Sequence, residues 1–164
     1  MNLKTYQSKR NLKASGEPSG KKKSDRSQLT FVVQKHAARH LHYDLRLELD
    51  GVLKSWAVPK GPPLTHSVKR LAIQVEDHPL AYGSFEGTIP AGNYGAGTVE
   101  IWDQGTYIVE EKSKKDQERL LREMLAKGHV AVIFKGKKLK GSYVLVRMAS
   151  NPEGNQWLML KKQN

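Results

Sequence analysis

A closed or nearly closed antiparallel β-barrel, with one amphipathic helix and a flexible basic N-terminal arm, is the architecture this sequence predicts. Three observations predict it. Short segments of period-2 hydrophobicity recur along the chain, bounded by glycine, proline, aspartate or asparagine. Only one segment switches clearly to helical periodicity. The first 28 residues are polar, rich in glycine, serine and lysine, and show no period. A length of 164 residues suits one domain, 29–164, preceded by the arm, 1–28.

The elements follow in order. Leu41, Tyr43, Leu45, Leu47 and Leu49 alternate with His42, Asp44, Arg46, Glu48 and Asp50, the pattern of a half-buried strand. Asp50-Gly51 reads as a hairpin turn into a second strand over 52–58, closed by Pro59. After Lys60-Gly61-Pro62-Pro63, Leu71, Ile73 and Val75 alternate with Ala72, Gln74 and Glu76. Strands over 98–102 and 106–109 are expected on either side of Asp103-Gln104-Gly105. Between 113 and 127, Leu120, Leu121, Met124 and Leu125 share one face of a charged helix that stops at Gly128. Strands near 130–134, 142–148 and 156–160 finish the chain. Many short strands with one helix favour closure, because closure removes exposed sheet edges.

The net charge is +12, and it is not spread evenly. Residues 1–28 carry +6, residues 130–164 carry +6, and the middle balances. Such basic ends point to a polyanion, with nucleic acid favoured over a membrane surface because no apolar helical stripe accompanies the charge. The sequence has no cysteine, which excludes disulfides, thiolate metal sites and a cysteine nucleophile. No apolar run approaches the ~18 residues of a membrane span, and the first residues given lack the apolar stretch of a secretory signal. A soluble, cytoplasmic protein with no membrane partner is expected.

The densest chemistry lies in Gln34-Lys35-His36-Ala37-Ala38-Arg39-His40-Leu41-His42-Tyr43-Asp44-Leu45-Arg46. Side chains two apart on a strand share a face, so His42, Asp44 and Arg46 project together, opposite the leucines. Two imidazoles and a carboxylate suit a divalent ion such as Mn²⁺, Fe²⁺ or Zn²⁺, and a neighbouring guanidinium suits phosphate oxygens. The competing reading is a solvated polar face or a satisfied His–Asp pair. Glu76-Asp77-His78-Pro79 is a second set, in which Glu76 and His78 share parity with Gln74. There His78 could exchange a proton or hold a phosphoryl oxygen, with Glu76 orienting a neighbour; a plain turn histidine is the alternative. His66 and His129 lack such company and read as surface or structural.

Other motifs are weaker. His40-x-His42 with Glu48 has the wrong spacing for a cupin metal motif. The glycine-rich run 87–97 lacks the Lys-Ser/Thr ending of a P-loop and reads as a tight structural loop. Trp56, Trp102 and Trp157 sit in alternating apolar strands and read as core rather than as base-stacking platforms.

Four blocks together resemble a known family. They are Phe31-Val32-Val33-Gln34-Lys35-His36, the run from His40 to Gly51, Lys54-Ser55-Trp56-Ala57-Val58-Pro59-Lys60-Gly61-Pro62, and Val75-Glu76-Asp77-His78-Pro79. With Phe85-Glu86-Gly87 and Tyr94-Gly95-Ala96-Gly97, they are similar to the 3′-phosphoesterase domain of bacterial DNA ligase D. The resemblance implies a β-barrel and a manganese-dependent enzyme that removes a 3′-terminal ribonucleoside, then the remaining 3′-phosphate. It implies that His36, His42 and Asp44 hold the metal, that Arg46 and His78 contact the scissile phosphate, and that Gln34, Lys60, Arg70, Glu76 and Tyr82 support activity.

In the arm, Arg10 and Glu17 resemble functional positions, whereas Asn11 stands where the family pattern has an acidic residue. The attacking group, a ribose 2′-hydroxyl or water, is left open by the sequence. The expected substrates are DNA primer–template or duplex 3′ ends bearing a ribonucleotide or phosphate. A stand-alone enzyme working beside separate ligase, polymerase or Ku-like end-joining proteins is the expectation, with a non-catalytic nucleic-acid-binding barrel as the alternative.

Overall fold

The structure is a computed structural model that describes residues 28–111 and 116–163. It contains nine strands: β1 (Leu29–Ala37), β2 (Leu41–Leu49), β3 (Val52–Val58), β4 (Lys69–Pro79), β5 (Gly87–Ile89), β6 (Gly97–Val109), β7 (His129–Lys135), β8 (Lys140–Arg147) and β9 (Gln156–Lys161). A 3₁₀ turn, Leu80–Ser84, follows β4, and the helix α1 (Gln117–Lys127) follows β6. The sheet runs β1-β2-β3-β4-β9-β8-β7-β6, and β6 returns to pair with β1. This closes an eight-stranded antiparallel barrel, as expected, with β5 added beside the start of β6. Arg10 and Glu17, with the rest of the predicted arm through residue 27, lie outside the described residues.

The interior is lined by the apolar members of the alternating strands. Leu45, Leu47 and Leu49 of β2 join Phe31, Val33, Trp56, Phe134, Tyr143, Leu145, Trp157 and Met159 in one cluster. Trp56 and Trp157 meet edge-on, with ring centroids 5.7 Å apart, and are at most 1% exposed. They are core, as the alternation implied. The helix caps the same core through Leu121, with Leu120, Met124 and Leu125 against its margin. Its ends are set locally: the Asp116 side chain accepts from the Arg119 N–H, and Gly128 adopts a left-handed φ of 77°.

Three sequence expectations need correction. Asp103-Gln104-Gly105 is no turn, because β6 runs unbroken from Gly97 to Val109. A register shift opposite Val33 and Gln34 makes Trp102 the extra residue of a bulge. Asp103 therefore turns inward, 4% exposed, and accepts backbone N–H bonds from Gln104, Lys137, Lys138 and Leu139 at 2.8–2.9 Å. Gly105 is required by packing, since a Cβ there would fall 2.0 Å from Lys135 O.

The second correction concerns β2. It is not half-buried: Asp44, Arg46 and Glu48 are 5%, 2% and 4% exposed. A second apolar layer of Leu53, Leu80, Tyr82 and Phe85, brought by the 3₁₀ turn, lies on the outside of the barrel wall. The third concerns β4, where Leu53 pairs with His78 but Ser55 with Val75, so one residue bulges near Glu76. The bulge reverses parity. Gln74 pairs with the core residue Trp56, whereas His78 falls on the outer face with Leu53.

Asp103 also sets a stability prediction. Burial pushes its carboxyl upward, but the four backbone N–H groups outweigh burial and hold it below the ordinary value of 3.8. Asp103→Asn is expected to cost about 2 kcal/mol in chemical denaturation, as charge-assisted bonds are lost. In the parent chain this contribution is full above pH ~4 and declines as pH falls from the unfolded carboxyl value through the lower folded one. An unchanged midpoint at pH 7 would refute the assignment.

Candidate active site

The site is built on the outer face of the β1–β2 pair. In the antiparallel register His36 lies opposite His42, and Gln34 opposite Asp44. All four therefore share a face, together with Arg46. Asp44 sits between the two imidazoles, with Oδ2 3.5 Å from His36 Nδ1 and Oδ1 3.2 Å from His42 Nε2. The ligand atoms of these three residues lie within 4.8 Å of one another.

The remaining ring nitrogens decide what this arrangement can hold. His36 Nε2 is 2.7 Å from Gly95 O, and His42 Nδ1 is 3.1 Å from His40 O. A carbonyl only accepts, so these two nitrogens carry the ring protons. In the neutral rings the other nitrogens then present lone pairs to a carboxylate. Lone pairs facing a carboxylate repel unless a proton or a metal cation lies between them. Backbone carbonyls fixing the outer nitrogens are the usual support of metal-binding histidines. The donor set fits a divalent metal.

Electrostatics agree. Burial pushes the Asp44 carboxyl upward, yet hydrogen bonds from the imidazolium forms of His36 and His42 and the Arg46 charge hold it well below the usual carboxylate range. Burial lowers the His42 imidazole, but the bond to Asp44, its charge and the His40 carbonyl raise it overall.

Beside the cluster, Arg46 is held by one contact per nitrogen. Nε donates to Gln34 Oε1 at 2.6 Å, one terminal nitrogen to Ser55 Oγ at 2.8 Å, and the other to Asp44 Oδ2 at 3.4 Å. Gln34 is fixed in turn, its amide donating to Tyr82 O and Phe85 O at 2.8 and 3.1 Å. The guanidinium also lies 4.8 Å from the Tyr82 ring centre, and that ring meets His78 at 4.9 Å. His78 Nδ1 donates to Glu76 O at 3.0 Å, so proton exchange at this ring runs through Nε2. An open cleft of about 270 Å³ joins His36, His42, Asp44, Arg46, Glu76, His78 and Tyr82.

Comparison with known proteins agrees with the geometry. Residues 34–147 match the family model described as the DNA ligase D 3′-phosphoesterase domain. The chain belongs to this family. It is 48% identical over 164 residues to a multifunctional non-homologous end joining protein, LigD, of Pseudomonas aeruginosa. It is 50% identical over 135 residues to the LigD end-joining DNA repair protein of Mycobacterium tuberculosis. Over 158 residues it is 44% identical to LigD of Mycolicibacterium smegmatis. These matches cover 99%, 82% and 95% of this chain but only 19%, 16% and 20% of the relatives, so the chain spans about a fifth of their length.

In this 3′-phosphoesterase domain, the candidate residues Gln34, His36, His42, Asp44, Arg46, Glu76, His78 and Tyr82 come together. Lys60 and Arg70 do not join the cleft wall. Arg70 donates to Lys60 O at 3.0 Å, which places both just beyond the end of β3 that pairs with Tyr43 and Asp44. His66 and His129 are exposed, as expected.

The sequence reading passed over two contributors. Ser55 carries no signal of its own in the 52–58 strand, and only the register beside Arg46 gives it a role. The 87–97 run is more than a structural loop, since it brings Tyr94 to the cleft and Gly95 O to His36. Gly97 permits this approach, because a Cβ there would fall 2.2 Å from Ala37 O.

Proposed function

We propose that this domain is a manganese-dependent DNA 3′-end-healing phosphoesterase acting in end joining. Net hydrolysis would break the phosphorus–oxygen bond to a 3′-terminal ribonucleoside and leave a 3′-phosphate. A second hydrolysis would release phosphate and leave a 3′-hydroxyl. The observation that carries the reading is the pair of histidines whose carbonyl-fixed tautomers both aim at Asp44, beside a buried and fully oriented arginine. A structural His–Asp pair needs neither a second imidazole nor Arg46.

His36, His42 and Asp44 would hold the cation, and two imidazoles with one carboxylate suit Mn²⁺ among the divalent ions. Bound there, it would polarise a phosphoryl oxygen and lower the pKa of an attacking hydroxyl or water. Arg46 would face the developing charge on the phosphoryl oxygens, already oriented by Gln34, Ser55 and Asp44. His78 would take or return a proton at Nε2, steered by the Glu76 carbonyl and the Tyr82 ring. Lys60 and Arg70, outside the cleft, would act on the nucleic acid beyond the reacting ester, and Arg10 and Glu17 from the arm. Residues 29–164 would form the catalytic unit, acting beside ligase, polymerase and Ku-like proteins.

The test is a DNA primer–template ending in one ribonucleotide, incubated with and without Mn²⁺. Shortening that requires the metal and disappears in His42→Ala is expected. No metal-dependent shortening, or full activity in that variant, would leave a non-catalytic nucleic-acid-binding barrel as the better account.

A further inference from the structure

Among the described residues, two arginines of α1, at the barrel end that also holds the β2–β3 turn, sit against acids. Arg122 pairs with Asp50 at 2.6 Å, and Arg119 lies 3.7 Å from both Asp116 and Glu123. The opposite end carries the metal cluster, and there the β7–β8 turn presents Lys137, Lys138 and Lys140, all exposed. Glu100, at that end, faces Lys35 at 3.9 Å.

This turn is not a loose charge run. Asp103 accepts the successive N–H groups of Lys137, Lys138 and Leu139, and so fixes the backbone from within. Gly136 allows that approach, since a Cβ there would fall 2.5 Å from Asp103 Oδ2. The Lys138 ammonium sits 4.6 Å from the Trp102 ring centre and donates to Trp102 O at 2.8 Å. Trp102 in turn meets Tyr43 edge-on at 5.6 Å, and Tyr43 lies between His42 and Asp44 on β2. A run of contacts thus links the lysine turn to the strand that carries His42 and Asp44.

We infer that the Lys137–Lys138 turn, seated on Trp102, grips the phosphodiester backbone of the duplex tract behind the 3′ end being processed. The inference rests on the phosphoesterase reading and extends it from the reacting ester to the rest of the substrate. Two features favour nucleic acid over an acidic protein. The turn's own N–H groups are consumed by Asp103, so a partner is met by lysine ammonium groups, point charges that suit phosphate oxygens without reading bases. The turn also lies at the same barrel end as the cleft, where a duplex entering the site must pass.

The test compares two variants of the full chain that lose equal charge: Lys137→Ala/Lys138→Ala and Arg119→Ala/Lys127→Ala. Direct titration with a primer–template in Mn²⁺ should show roughly tenfold weaker binding for the first, with a salt-dependence slope smaller by about 1–2. Its loss in turnover should appear in KM rather than in kcat. The second, on α1 at the other end, should bind as the parent does.

Unchanged affinity and slope in the first variant, or equal losses in both, would overturn the inference and leave the turn to an acidic protein surface. Because binding is titrated directly, a parent chain that binds DNA but never shortens it would defeat the phosphoesterase reading alone.

Discussion

Asp44→Asn is expected to lower Mn²⁺-dependent turnover by about 10³-fold or more, because several kcal/mol of transition-state charge stabilisation depend on the cation. Asparagine matches aspartate in shape but brings a neutral amide whose N–H can donate to an imidazole lone pair. The substitution therefore removes the anionic ligand while nearly keeping the side chain's shape. Metal-free stability at pH 7 should fall, because the fold favours the charged Asp44 carboxylate and the buried Arg46 guanidinium loses its anionic neighbour. Mn²⁺ at a hundredfold over its Kd should stabilise the parent by about 2.7 kcal/mol and the variant by nothing measurable.

Proton competition adds a pH signature. The cation needs the lone pair of His42, whose pKa is raised above 6.5, so metal affinity should be full at high pH and, as pH is lowered, should begin to decline before pH 6.5 is reached. Thermal melts with and without metal check all three statements. A variant that keeps its metal-induced shift would refute the ligand assignment.

Arg46→Lys should be nearly as damaging despite keeping the positive charge. The guanidinium serves Gln34, Ser55 and Asp44 at once from a side chain 2% exposed. An ammonium on a flexible stem cannot span that fork, and polar atoms left unpaired in a buried site are costly. A loss of about 3 kcal/mol in stability is expected. Turnover should fall about 10²- to 10³-fold, with the change mainly in kcat. If the defect lay in KM alone, Arg46 would be gripping ground-state substrate and the proposed role would fail.

Much of this was legible in the sequence, for a physical reason. His42, Asp44 and Arg46 are two residues apart on one strand, and strand geometry alone places them on one face. His36 joins them by pairing, which the hairpin-like spacing around 38–40 supports. What escaped was set by bulges. One extra residue near Glu76 reversed the parity that had grouped Glu76 and His78 with Gln74. Another, at Trp102, let Asp103-Gln104-Gly105 pass for a turn while the strand continued. Bulges arise from pairing with distant strands, so local periodicity does not reveal them. Ser55 and Gly95 were hidden likewise, since a hydroxyl and a carbonyl acquire their roles only from what the fold sets opposite them.

The closing pair of the barrel bears on how the chain assembles. β1 and β2 are neighbours in sequence, so His36, His42, Asp44, Gln34 and Arg46 can meet once a short hairpin forms, within microseconds for such elements. Closure instead joins Leu29 to Tyr107 and Ala37 to Thr98, a long loop whose entropy must be lost before its contacts are gained. The ligands therefore belong to the fast, local part of folding. The Gly95 carbonyl that fixes His36, delivered from beside β6, belongs to the slow part. A chain caught before closure would hold the donor atoms together yet leave the His36 ring unset, so selective metal affinity should mature only at the final step of folding.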